Sequence, residues 1–202
     1  MNTENTNNSL KALQNKACSQ FPFLQGVAFS TNVNTTPAIE RNFAFIDIQN
    51  LHKGVQKRGW KIDWEKFRVY LSNKFQVTKA VVFMGYIQSN QWFYNYLKNA
   101  GFEIEFRAVT VLSDGRIDGG NVDADITGFA FDKKNEYTKA VFIADDADYT
   151  NSLVRLKNQN KLKLVISSHI IAKTSQLVKN SIGRDMIISI NSFRNQIAQR
   201  LH

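Results

Sequence analysis

The chain has 202 residues, 43% of them hydrophobic, with 26 Lys and Arg against 17 Asp and Glu, a formal net charge of +9 and a pI of about 9.7. This length and apolar content predict one domain plus appendages, and the charge predicts a polyanionic partner, either nucleic acid or an anionic membrane surface. Cys18 is the only cysteine, which excludes an intramolecular disulfide and a cysteine-based zinc site and fits a reducing compartment.

Residues 1–40 are rich in Asn, Thr, Ser and Gln and hold both prolines, Pro22 and Pro37; Lys11 and Lys16 balance Glu4 and Glu40. They are expected to form a neutral tail, with a short helix near 8–18 and an apolar patch at 21–29. The start shows no basic segment followed by an apolar run, and no stretch approaches the ~20 apolar residues of a membrane span. A cytoplasmic location and no membrane partner are the expectations.

From residue 42 the pattern alternates. FAFIDI (43–48) predicts a buried strand, and 63–75 a helix with Trp64, Phe67 and Leu71 on one face and Asp63 as N-cap. A strand is expected at 79–87, a helix at 88–101 closed by Gly101, one strand or two short ones at 102–112, and a loop at 113–120. A helix at 121–134 places Val122, Ile126, Phe129 and Ala130 on one face. The remaining expectations are a strand at 140–144, a helix at 148–159, a strand at 162–167, a helix at 174–181, a strand at 185–189 and a last helix in SFRNQIAQRL. Strands separated by helix-length segments predict an α/β protein with a parallel sheet covered on both faces. In such sheets ligands bind at the carboxyl ends of the strands, near a topological switch point.

That edge is where acids gather. Asp47 ends the first strand, and Asp145, Asp146 and Asp148 follow the apolar Val141-Phe142-Ile143. Asp123 and Asp125 open the 121–134 helix, where a carboxylate also complements the helix dipole. Asp146 and Asp148 have the ordinary alternative of capping a turn or the 148–159 helix. Asp47, directly after Phe43, Phe45 and Ile46, is expected to be buried beside like charges, and neighbouring carboxylates do not all stay ionised without a compensating cation. Mg²⁺ or Mn²⁺ takes such hard oxygen ligands and supports in-line phosphodiester displacement. From Ser152 onward Arg155, Lys157, Lys161, Lys163, Lys173, Lys179, Arg184, Arg194 and Arg200 face only Asp185. An acidic pit in a basic surface is the layout of a metal-dependent nuclease, with basic side chains on phosphates supplying affinity.

These residues resemble the NYN domains, the LabA-like branch of the PIN-like nucleases. FIDIQNL (45–51) resembles their Asp-x-x-Asn strand end, GNVDADI (120–126) their second motif, and ADDADYTNSLVRLK (144–157) their third, usually Ser-Gly-Asp-x-Asp-Phe before an amphipathic helix. KTSQLVKNSIGRDMIISINSF (173–193) resembles the closing Ser-x-x-Leu helix and strand. The likeness covers about 42–195 in the family's order. It implies a three-layer α/β/α sandwich with a mainly parallel sheet and metal-dependent cleavage of RNA, single-stranded or structured. It assigns Asp47, Asp123 and Asp146 to catalysis, those three with Asp148 to the metal, and Asn50 to orienting Asp47 or touching substrate, with Asp125 a less certain neighbour. A water activated by the metal is the implied nucleophile. The usual Lys-Gly before Asp123 is Gly120-Asn121 here, and the usual Ser-Gly before Asp146 is Ala144-Asp145.

Lys53, Lys57 and Arg58 in HKGVQKRGW (52–60) form either a solvated loop or a phosphate-contacting loop at the mouth of the site. The aromatic run Trp92-Phe93-Tyr94-Tyr96 suits core packing, with base stacking as the alternative. His52, His169 and His202 lack metal-ligand spacing. Phosphate-loop, nucleophile-elbow and dinucleotide motifs are missing. Two rivals remain: an NYN-like module that binds RNA or protein without cutting, and a phosphatase built on Asp47, against which Gln49 stands where a second acid is needed. A homodimer is left open.

Overall fold

A computed structural model of the protein describes residues 40–111, 113, 117–118, 122–144 and 146–200. The tail expected over 1–40, apart from Glu40, lies outside these residues, as do Gly120, Asn121, Asp145 and His202.

Strand β1, Asn42–Asp47, is buried along its whole length, as an apolar run in a sheet covered on both faces must be. Helix α1, Ile48–Gln56, follows at once, with Asp47 as its N-cap. Helix α2, Trp64–Phe75, is capped by Asp63, whose Oδ1 accepts from the Lys66 N–H at 3.1 Å. Strand β2 spans Val77–Gly85 and helix α3 Gln91–Asn99, after a 3₁₀ turn at Gln88–Asn90. Gly101, at φ +89°, makes the left-handed turn into strand β3, Glu103–Arg107. Strands β4, Thr110–Val111, and β5, Ile117–Asp118, form a small antiparallel ribbon. Helix α4 (Asp123–Asp132), strand β6 (Ala140–Ile143), helix α5 (Thr150–Asn158), strand β7 (Leu162–Ser167), helix α6 (Gln176–Ile182), strand β8 (Ile187–Ser189) and helix α7 (Arg194–Ile197) complete the described chain.

The six main strands pair in the order β3-β2-β1-β6-β7-β8, all parallel. The chain first builds outward from β1 through β2 to β3, then returns to the other side of β1 and builds outward again. The boundary between β1 and β6, where Ile46 pairs with Ile143, is therefore the topological switch point at which such sheets bind ligands.

The two-residue period of β1 divides the molecule. Phe43 and Phe45 enter a core with Ile126, Ala130, Phe142, Leu153 and Val178, under α4, α5 and α6. Ala44 and Ile46 enter a second core with Leu51, Trp64, Phe67, Leu97 and Ile197, under α1, α2, α3 and α7. This is the expected three-layer sandwich. By the same period Asp47 follows Phe43 and Phe45, toward the α4 and α5 layer.

Four expectations are corrected. The segment 52–60 is not a loop: α1 runs to Gln56 because Ile48, Leu51 and Val55 fall on one buried face. Gly54 does not break it; a Cβ there would collide with the Ser168 side chain, so glycine permits a close approach to the chain after β7. The loop at 113–120 contributes β5 instead of running free. Asp148 is not a helix cap: Asp146 caps a 3₁₀ turn, Ala147–Tyr149, that precedes α5. The last helix has only four residues, because the chain bends into an extended segment at Ala198, which bridges to Ile62.

Phe45 is fully buried and meets the rings of Phe129, Tyr137 and Phe142 at centroid distances of 6.3, 5.5 and 5.6 Å. Phe45→Ala is expected to cost about 3–5 kcal/mol in urea unfolding. Val69→Ala, at a position 57% exposed, is expected to stay within ~0.5 kcal/mol of wild type.

Candidate active site

Asp47 is 7% exposed. Its Oδ1 accepts from the Asn50 backbone N–H at 2.9 Å, and its Oδ2 accepts from the Tyr149 hydroxyl at 3.1 Å. The first bond is the N-cap of α1; the second crosses 102 residues of chain and ties the end of β1 to the turn after β6. Tyr149 is fully buried, edge-on to Phe142 at 5.9 Å. The negative charge of Asp123 is near enough to act on both Asp47 and Tyr149. Asp123 occupies the first turn of α4, where the helix dipole favours a carboxylate.

A phenol carries one proton, and here it goes to Asp47, whose charge is opposed by that of Asp123 nearby. The electrostatics register the conflict. Burial pushes the Asp47 carboxyl above its ordinary range; the Asn50 N–H and the Tyr149 hydroxyl pull it back, and the negative charge of Asp123 pushes it up again. Burial also drives the Tyr149 phenol far above its ordinary value, and the charges of both carboxylates add to the rise. Asp47 thus sits in a low-dielectric setting, bonded to a neutral hydroxyl and within reach of the Asp123 charge.

Asn50 contributes more than its backbone. Its side-chain Oδ1 is buried without a hydrogen-bond partner among the described residues. Such an acceptor costs ~1–3 kcal/mol, which makes Asn50, beside the end of β1, a candidate contact for a bound group.

The other acids are placed differently. Asp146 is exposed, and its Oδ1 accepts from the Ala147 N–H at 2.6 Å. Asp148 is exposed in the same turn. Asp125 pairs with Arg107 at 2.7 Å on the wall of an open cleft of 510 Å³ that also includes Phe83, Phe106 and Phe129. Among the described residues no group of three or more His, Cys, Asp or Glu is arranged to hold a metal ion. Of the four expected carboxylates, Asp47 and Asp123 interact through their charges, and Asp146 and Asp148 stand exposed on the turn after β6. The pair still suits a hard divalent cation, because Mg²⁺ is commonly bound through one or two carboxylates, its remaining positions going to waters and substrate phosphates. Tyr149 is the residue that sequence reasoning missed. Its signal is a tyrosine where the resembled third motif carries phenylalanine: one added hydroxyl.

The basic residues divide in the same way. Lys53 and Lys57 are exposed on α1. Arg58 also serves packing: its Nη1 donates to the carbonyls of Gly54 at 2.7 Å and Ser168 at 2.5 Å, clamping α1 to the chain after β7. Lys157, Lys161 and Lys179 likewise bond backbone carbonyls, of Ile182, of Tyr137, and of Ile171 and Ala172. Part of the positive charge in the carboxyl-terminal half therefore serves packing.

With this fold and acid pair in view, the chain belongs to the NYN domain family, whose model matches residues 43–188, and its sheet is the PIN-like nuclease sheet. A protein of unknown function from Vibrio parahaemolyticus shares the fold at 18% identity and a TM-score of 0.64, over 80% of this chain and 98% of that one. The T5 D15 protein, co-crystallised with metal ions, aligns over 56% of this chain and 51% of its own at 14% identity and a TM-score of 0.37, too distant a likeness to bear on the site. No curated protein matches the chain.

Because the native Asp47 carboxyl is raised, its protonated form is the one the fold favours. That contribution is present in acid and is lost as pH rises through the native value. Asp47→Asn keeps the N-cap acceptor and removes the buried charge. In EDTA at neutral pH the variant is expected to melt a few degrees above wild type, and the gap is expected to shrink as the pH falls toward ~4. Thermal unfolding across that range checks both.

Proposed function

We propose that this NYN domain is a ribonuclease of the LabA-like branch that cuts RNA phosphodiester bonds in the cytoplasm with Mg²⁺ or Mn²⁺. The observation that carries the reading is the buried Asp47 with the half-buried Asp123 beside it at the switch point of the sheet, an anionic pair in a chain of net charge +9. Asp47 and Asp123 would hold the ion, with Asp146 and Asp148, on the turn that carries Tyr149, as candidates to complete its surroundings. When bound, the ion supplies Lewis-acid polarisation of the phosphoryl group and makes a coordinated water more acidic than bulk water.

The chain's own residues have distinct tasks. The Asn50 N–H and the Tyr149 hydroxyl fix the orientation of the Asp47 carboxylate, as outer hydrogen bonds do for ligating groups. Asn50 Oδ1 accepts a hydrogen bond from substrate or from the attacking water. Lys53 and Lys57 on α1 bind the polyanion as point charges, with affinity that falls as salt rises. Arg58 positions α1 through its Nη1.

A second reading, a domain that holds RNA without cutting it, is favoured by Ala144 standing where the resembled motif has serine and by the exposed placement of Asp146 and Asp148. Cleavage of labelled single-stranded RNA separates the two. With Mn²⁺ or Mg²⁺ the wild type is expected to cut and with EDTA it is not. Asp47→Asn and Asp123→Asn are expected to lose more than ~100-fold in rate, beyond what changes in outer hydrogen bonds produce. Asp125→Asn, which breaks only an exposed ion pair, is expected to cut close to the wild-type rate. RNA that is bound but never cut by the wild type would establish the second reading.

A further inference from the structure

Trp92 is 69% exposed. It is the outlier of its helix. Phe93 packs edge-on to Trp64 at 6.1 Å, Tyr94 is buried with its hydroxyl bonded to the Ile87 backbone, and the Tyr96 hydroxyl accepts from the Trp64 N–H. Core packing therefore explains the other three rings of the run, whereas Trp92 touches, among the described rings, only that of Phe93, at 5.6 Å, and leaves most of its indole in solvent. The chain's other tryptophans, Trp60 and Trp64, are 5% and 4% exposed.

Trp92, Phe93 and Tyr94 form one wall of a groove of 340 Å³ between α3 and α1. The facing wall is Ile48, Gln49 and His52, from the first turns of α1, beginning with the residue directly after Asp47. Asn90 lies at the rim. The groove thus combines aromatic faces with two carboxamides and an imidazole, and the exposed Lys53 comes directly after His52. Flat apolar walls beside hydrogen-bonding edges match a nucleobase: aromatic side chains offer a stacking face that accepts any base, while amides and imidazole meet its polar edge. An apolar peptide would use neither the amides nor the positive charge beside them.

We propose that the α1–α3 groove is a base-stacking subsite, in which Trp92 receives an unpaired nucleobase of the single-stranded RNA whose backbone lies at the Asp47–Asp123 pair. The assignment rests on the nucleic-acid reading above and extends it from the phosphate to the base. A paired base is already stacked on its neighbours and cannot enter, so the subsite selects single strands over duplexes. Gln49 and His52 reach the base from the same helix whose N-cap is Asp47, so base and scissile phosphate are held by one rigid element.

The test is fluorescence anisotropy of a labelled single-stranded RNA 12-mer in EDTA at fixed salt, with wild type, Trp92→Phe and Trp92→Ala. The expected result is ~5–150-fold weaker binding for Trp92→Ala, the range of one lost aromatic stack. Trp92→Phe should lie between, and an abasic 12-mer should bind all three alike. RNA should also quench wild-type tryptophan fluorescence and leave that of Trp92→Ala unchanged, because Trp60 and Trp64 are buried. Equal melting temperatures for wild type and variants check folding, as expected for so exposed a side chain. Trp92→Ala binding RNA as tightly as wild type, while wild type cuts RNA with Mn²⁺, would overturn the subsite and leave the nuclease standing. Trp92-dependent binding without cutting would sustain the subsite and overturn the nuclease.

Discussion

Two carboxylates that repel one another meet at the sheet edge: Asp47, buried and held by the hydroxyl of Tyr149, and the half-buried Asp123. Most of what distinguishes this molecule follows from keeping them there. The strand that carries Asp47 is buried on both sides, so the carboxylate cannot swing out to water. Its position in the two-residue period of β1 sends it to the same face as Phe43 and Phe45, the face that α4 and α5 cover. Its neighbours in space are therefore the first turn of one helix and the turn that leads into the other. A fold optimised only for stability would place an apolar or amide side chain at this point, since stabilising a native state is easy wherever function does not resist it.

The positive charge of the chain has two uses. Arg58, Lys157, Lys161 and Lys179 bond carbonyls at helix ends and in the connections between helices and strands. The long stems of these side chains pack while their heads bond, as amphipathic side chains do. Lys53 and Lys57 remain exposed on the helix that begins at Asp47. The same helix lines the aromatic groove, so one nine-residue element links the acid pair, the cationic contacts and the stacking surface. Its placement depends in turn on Gly54, which lets the helix touch the chain after β7.

Much of this is legible in the amino-acid sequence, for identifiable reasons. FAFID is an apolar run closed by a carboxylate, and both the strand and its buried end follow from that. Asp63 capping α2 and the alternation of strands with helices follow from local periodicity. The features that escape a sequence reading are those whose cause is tertiary. Helix α1 is hidden by the polar HKG sequence, because its apolar stripe is narrow and its glycine serves a contact with the distant Ser168. The β4–β5 ribbon is hidden by glycines that read as loop. Motif comparison locates Asp146 and Asp148 as candidates but cannot show that the turn after β6 leaves both exposed. The role of Tyr149 depends on a hydroxyl, and a motif that counts aromatic residues alike cannot weigh one. Trp92 is legible as part of an aromatic run, but its separation from its three neighbours requires the packing of α3.

The central claim is that the Asp47–Asp123 pair is a cation site. Titrating Mn²⁺ into ¹⁵N-labelled protein and following paramagnetic broadening of amide signals tests it directly. The account predicts that signals near Asp47, Asp123 and Tyr149 broaden first, and that Asp47→Asn abolishes this local broadening while the remaining spectrum keeps its dispersion. Broadening that begins elsewhere on the surface, or that persists unchanged in Asp47→Asn, would contradict it.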